Sequence, residues 1–157
     1  MNTTNFVVNK DKRQVVMERT FDASVKKVWQ AHVNPELVIQ WWGPRKMEMT
    51  IDKFEVRPGG AWRILHKDPS GKEHWFSGQY QEVIEPEKIV RTFIYEPESE
   101  HVLTETCIFK PLSETRTKMT YITDFPAPEA LDGMVNAGME SGAREGLERL
   151  SKLVETN

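Results

Sequence analysis

Apolar and polar residues alternate with a period of two through most of the chain, and only its two flanks carry a helical period. Arg13 to Phe21 reads as a β-rich strand. Val25, Val28, Trp29 and Ala31 follow with helical spacing, and Asp22 or Ser24 can cap that short helix. Asn34-Pro35-Glu36 is a second helix start: a capping side chain, a proline at the first helical position and an acid at the positive end of the dipole. Gly43-Pro44 stops that helix at the paired Trp41-Trp42. From Met47 to Asp124 the pattern predicts strands over 48–56, 61–67, 73–84, 88–95, 102–110 and 115–124. Pro58-Gly59-Gly60 and Asp68-Pro69-Ser70-Gly71 are among the turns between them. With the first strand this makes a mostly antiparallel sheet of about seven.

Pro126-Ala127-Pro128-Glu129 then opens the longest helix, read as one piece from Pro128 to Glu155. Leu131, Val135, Met139, Ala143, Leu147, Leu150 and Val154 form its apolar stripe. Glu140/Arg144, Glu145/Arg149 and Glu148/Lys152 are i,i+4 pairs in the favoured orientation, expected on a solvated face. Gly138, Gly142 and Gly146 recur every four residues on or near the stripe, where each costs about 1 kcal/mol relative to alanine. Close packing on the sheet offsets such a cost, and so does room left for a guest.

Composition narrows the function classes. A chain of 157 residues suits one domain. The single cysteine, Cys107, forbids an internal disulfide, fits a reducing compartment and is expected to be a small buried or half-buried hydrophobe. Net charge is −3 with the signs mixed, so nothing tracks a phosphate backbone and nucleic acid is not an expected partner. No apolar run is long enough for a membrane span, and the polar start lacks a signal-peptide core. Cytoplasmic localisation is the resulting expectation. The four histidines show no metal-binding spacing, and the usual catalytic motifs are missing, so neither metal nor cofactor is expected.

Three of the five tryptophans, Trp41, Trp42 and Trp62, crowd around two turn signals, as if aromatic rings were wrapped about an interior space. The segments around them carry a family resemblance. Arg19-Thr20-Phe21-Asp22-Ala23, Val28-Trp29-Gln30-Ala31, Pro35-Glu36 and Trp41-Trp42-Gly43-Pro44 match in order and spacing. So do Arg57-Pro58-Gly59-Gly60-Ala61-Trp62, Gly78-Gln79-Tyr80-Gln81-Glu82-Val83, Glu85-Pro86-Glu87-Lys88-Ile89-Val90 and Leu147-Glu148-Arg149-Leu150. The chain resembles the SRPBCC (START-like) superfamily, in the branch named after the C-terminal domain of the activator of Hsp90 ATPase. The match runs from residue 13 to residue 155, with residues 1–12 expected to be a flexible arm and 1–157 one domain. The resemblance implies an α+β helix-grip fold, in which a curved antiparallel sheet grips a long C-terminal helix around a cavity. Ala23-Ser24 replaces the Ala-Pro of many members, and Gly142-Ala143 replaces Gly-Trp, so the shape of the cavity does not transfer.

Strand alternation nominates its walls. Trp62, Ile64 and His66 share one face; Arg91, Phe93 and Tyr95 another; Leu103, Glu105, Cys107 and Phe109 a third; Met119 and Tyr121 a fourth. The candidate ligand-binding residues are Trp41, Trp62, Ile64, His66, Phe93, Tyr95, Glu105, Met119, Tyr121, Val135, Met139 and Gly142. His66 and Glu105 are the two that could do acid–base work, if both point inward. The leading expectation is a non-catalytic domain that binds a small hydrophobic ligand (a lipid, sterol, flavonoid or polyketide), with a stress-related role. The alternatives are a helper of an Hsp90-type chaperone, which rests on the branch name, and a polyketide cyclase or aromatase-like enzyme using His66 and Glu105.

Overall fold

A computed structural model describes residues 2–155. Met1, Thr156 and Asn157, which the single-domain reading includes, lie outside the described residues. The architecture is α+β, consistent with a helix-grip fold: eight antiparallel strands in one sheet, with four α-helices and a short 3-10 helix at Glu96–Glu98 among the described residues. The strands are β1 (Asn5–Asn9), β2 (Gln14–Phe21), β3 (Glu48–Phe54), β4 (Ala61–Lys67), β5 (Glu73–Ile84), β6 (Lys88–Tyr95), β7 (Leu103–Ser113) and β8 (Arg116–Asp124). Helices α1 (Val25–Val33) and α2 (Pro35–Val38) follow β2; α3 (Pro128–Asn136) and α4 (Met139–Val154) close the chain.

The sheet order is β1-β2-β8-β7-β6-β5-β4-β3. Consecutive strands from β3 to β8 are neighbours, and β2 closes onto β8 with Val15 opposite Thr123 and Phe21 opposite Thr117. That pairing brings α1 and α2, which follow β2, over the same face that α4 occupies. Val15, Phe21, Val28, Trp29, Phe109, Met119, Leu131, Leu147, Leu150 and Val154 belong to the one buried cluster between them.

The expected caps form. Ser24 Oγ accepts from Lys27 N at 3.2 Å, and Asn34 Oδ1 accepts from Glu36 N at 3.0 Å with Pro35 starting α2. The helix opened by Pro35 is shorter than its sequence suggests, because α2 ends at Val38 and the two tryptophans sit in the turn after it.

Three expectations are corrected. Residues 4–9 of the arm expected over 1–12 are tied down: β1 pairs with β2 from Asn5↔Glu18 to Asn9↔Gln14, and Arg144 Nη1 donates to Thr4 O at 2.6 Å. A five-residue segment with Asn at both ends has too little alternation to read as a strand; pairing supplies what its pattern lacks. The C-terminal helix is two helices, because Gly138 takes φ 94°, a left-handed value that a continuous helix cannot hold. The charges of α4 are only partly a solvated face. Arg144 does bond Glu140 at 2.8 Å. Arg149, however, donates to Gly43 O at 2.9 Å and Gln40 O at 2.8 Å, and Glu145 Oε2 accepts from Arg45 N at 2.8 Å. These bonds fasten the Trp41-Trp42-Gly43 turn to α4.

Candidate functional site

The space between the concave face of the sheet and the start of α4 is a cavity of about 330 Å³. Its floor comes from alternate residues of the central strands: Ile64 and His66 of β4, Phe76 and Tyr80 of β5, Ile89, Arg91 and Phe93 of β6, Glu105 and Cys107 of β7, and Tyr121 of β8. Its roof is Met139, Gly142, Ala143, Gly146 and Leu147 of α4 with Met134 of α3. The turn from Trp41 to Pro44 walls one side. A second cavity of about 360 Å³ lies beside it, under α3, and shares Met47, His66, Phe76, Leu103, Met134 and Met139 with the first.

The glycines of the C-terminal segment have different jobs. Gly146 is buried where a Cβ would meet Trp41 O at 3.4 Å and Gly43 N at 3.5 Å, so it lets α4 approach the tryptophan turn. Gly142 lines the cavity, and a Cβ there would meet only Pro44 Cγ, at 3.6 Å. Close packing and room for a guest are both present, one helical turn apart.

Most of the nominated residues converge here. Trp41, Ile64, His66, Phe93, Glu105, Tyr121, Met139 and Gly142 line the first cavity. Four do not. Tyr95 lines the second cavity instead. Trp62 lies beneath the floor, 1% exposed, donating from Nε1 to Thr92 O at 3.1 Å. Met119 is fully buried in the core, and Val135 packs against that core outside either cavity, because the break at Gly138 takes α3 out of line with α4.

Sequence reasoning also passed over residues that line the space. Trp42 stands edge-on to Phe76 at 5.7 Å and lies 4.9 Å from the His66 ring. His32 holds Tyr121 in place: its Nδ1 donates to Val28 O at 2.8 Å, so the neutral ring accepts at Nε2 from the Tyr121 hydroxyl at 2.8 Å. Arg91 lines the cavity as well, although it is not among the nominated residues. Its signal was its place in the alternation with Phe93 and Tyr95.

Arg91 and Glu105 are opposite each other across β6 and β7, and Nε donates to Oε1 at 2.9 Å. The guanidinium stacks over Trp62, 4.0 Å from its ring. Burial by itself lowers the pKa of Arg91; the charge of Glu105, with Tyr80 and Cys107 near it, outweighs this, the net shift is upward, and Arg91 stays charged. Burial pushes the Cys107 thiol up to about 12, so it lines the cavity as an inert hydrophobe.

Among the described residues no hydrogen bond joins His66 to Glu105. Both side chains face inward, but Glu105 is bonded to Arg91 and His66 is enclosed by Trp42 and Phe76. His66 is 5% exposed, and its Nε2 has no hydrogen-bond partner. Among the described residues no group of three acidic, histidine or cysteine side chains is placed to hold a metal.

Burial gives a pH dependence. His66 is held down to about 4, first by burial and then by the charges of His74 and Arg149. His32 is also held near 4, by burial against an opposing bond to Val28 and with the charge of Arg91 adding to it. An unfolded histidine titrates near 6.5. Between pH 6.5 and 4 the unfolded chain therefore binds protons that the folded chain refuses. Stability is complete above this window and declines as pH falls through it, by up to about 1.4 kcal/mol per pH unit for each group. Urea midpoints at pH 7 and pH 5 check this; equal midpoints would show that neither ring is buried neutral.

A family model described as activator of Hsp90 ATPase homolog 1-like protein matches residues 22–155. The chain belongs to that family. Solved structures agree on the fold of this homolog 1-like domain. Protein Ms6760 from Mycobacterium smegmatis superposes with a TM-score of 0.87 at 21% identity, over 98% of this chain and 97% of that one. A protein from Arthrobacter aurescens gives 0.85 at 27% identity, over 96% and 90%. CV1439 from Chromobacterium violaceum gives 0.83 at 22%, over 92% and 99%. No curated protein matches this homolog 1-like chain. No helix of the described residues is long and apolar enough to cross a membrane.

Proposed function

We propose that this domain is a non-catalytic binding module that takes a small, largely apolar ligand into the cavity between the sheet and α4. The observation that carries this is the cavity itself. Its volume of about 330 Å³ falls at the lower end of ligand pockets, which begin near 300 Å³. Its walls combine aromatic rings and methionines with a few fixed polar groups, the composition that binds apolar molecules in one orientation. The notch at Gly142 supports the reading further, since a helix interior gives up stability to keep that space open.

A thermal-shift screen against lipids, sterols, flavonoids and aromatic polyketides tests it. A ligand at 100 times its dissociation constant adds about 2.7 kcal/mol. For a domain of this size that is a rise of roughly 5–10 °C. A flat screen of well-folded protein removes the reading.

The family's description carries a second reading, a helper of an Hsp90-type chaperone. Co-precipitation with such an ATPase and stimulation of its turnover would support it; neither effect would remove it. The reducing setting expected from the lone Cys107 suits both readings.

A further inference from the structure

The Arg91–Glu105 pair is an expensive feature for a cavity floor. Desolvating two charges is offset by their attraction only when the remaining donors and acceptors also find partners. Here the two side chains bond through one contact, Nε to Oε1, at 2.9 Å. The guanidinium keeps its two terminal nitrogens, one of them within reach of the Tyr80 hydroxyl, and the carboxylate keeps Oε2. The side chains retain 13% and 25% exposure, and both line the cavity, so the unpaired edge of the ion pair faces the ligand space. Neither residue is among those with buried polar atoms that lack partners, Arg19 and His66.

We propose that the ligand is an uncharged, hydroxyl-bearing apolar molecule, its hydroxyl seated on the edge of the Arg91–Glu105 pair. This deepens the binding reading above and rests on it. The chemistry follows from the pair's net charge of zero. A hydroxyl donates to Oε2 of Glu105 and accepts from a terminal nitrogen of Arg91, completing both groups with charge-assisted bonds. A carboxylate at the same place meets the like charge of Glu105 in a largely apolar space and has no proton to donate. A pure hydrocarbon displaces water from the pair and returns nothing. The ring-lined remainder of the cavity holds the apolar body, with Trp42 and Phe93 beside it.

Calorimetric titration at neutral pH with 2-naphthol, 2-naphthoate and naphthalene tests this in the wild-type protein and in Glu105→Gln. In the wild type, 2-naphthol is expected to bind at least about tenfold tighter than either of the others. Glu105→Gln leaves Arg91 without its counter-charge, so the order of the two polar probes should reverse and 2-naphthoate should bind tighter than 2-naphthol. Naphthalene binding as well as 2-naphthol in the wild type overturns the hydroxyl assignment and leaves the cavity reading standing. The same holds for an unchanged order in a Glu105→Gln protein with wild-type circular dichroism. Should that variant not fold, the wild-type order of the three probes still decides. Binding of none of the three overturns the assignment, and with a flat screen the cavity reading as well.

Discussion

Gly78→Ala is expected to destabilise the fold by about 3 kcal/mol or more, lowering the melting temperature by roughly 10 °C. Gly78 lies in β5 opposite Trp62 of β4, with β6 on its other side. A Cβ there would overlap the Thr92 carbonyl and come within 2.7 Å of Trp62 Nε1. Those atoms are the two ends of the bond from Trp62 Nε1 to Thr92 O. The methyl group therefore cannot be accommodated by moving a flexible side-chain tip. It must push strand backbone aside or expel an indole that is 1% exposed and supports Arg91 from below. Leaving the indole N–H and the carbonyl without partners adds to the overpacking. Thermal unfolding followed by circular dichroism measures the effect; a melting temperature within a degree or two of wild type would mean that the Trp62 ring is not held where the structure has it.

The opposite result is expected one layer above. Gly142→Leu should raise stability by about 1 kcal/mol and abolish ligand binding. Gly142 is in the interior of α4, where glycine is a poor helix former, and only Pro44 Cγ stands near the position of a new Cβ. The added side chain enters space that the wild-type domain leaves open between Met139, Pro44 and the tryptophan turn. It gains burial and takes the place of a guest. Melting temperature and binding of a hit from the thermal-shift screen, measured on one preparation, separate the two effects. Lost stability would show that the roof has no spare room, and retained affinity would put the ligand elsewhere.

The two glycines show why one residue type in one sequence needs structural context. The four-residue spacing alone marks Gly142 and Gly146 as unusual. Which of them admits the backbone of the tryptophan turn and which borders the cavity depends on where that turn lands, and Arg149 fastens it there. Gly138 belonged to the same series and proved to be a break, because the conformation it adopts is not written in a four-residue period.

The site was legible to a similar extent. Alternation assigned Ile64, His66, Phe93, Glu105 and Tyr121 to one face each, and in the folded chain those faces meet. Trp62 and Met119 lie on the right faces at the wrong depth, under the floor and in the core. A period of two reports the face of a strand but not the distance to whatever covers it. Arg91 shares its strand face with Phe93 and Tyr95 in the alternation, yet is not among the nominated residues, and arginine is ordinarily found in water. Its place inside is secured by Glu105 across the β6–β7 register and by the Trp62 ring from β4.

What the sequence by itself determined is the local part: seven of the strands, the cap at Asn34, a cap at Asp22 or Ser24 that the structure assigns to Ser24, the α+β class and the family. Each depends on residues a few positions apart, whose spacing, capping chemistry and turn geometry act over one or two turns of chain. The tertiary structure alone decided that Asn5–Asn9 becomes a strand, that the last helix breaks, and that Arg91 finds Glu105 inside rather than solvent outside. It also decided the cavity, because an empty volume is set by how far α4 stands from the sheet. That distance comes from contacts between residues far apart in the chain, such as Arg149 on Gly43 and Gly146 against Trp41.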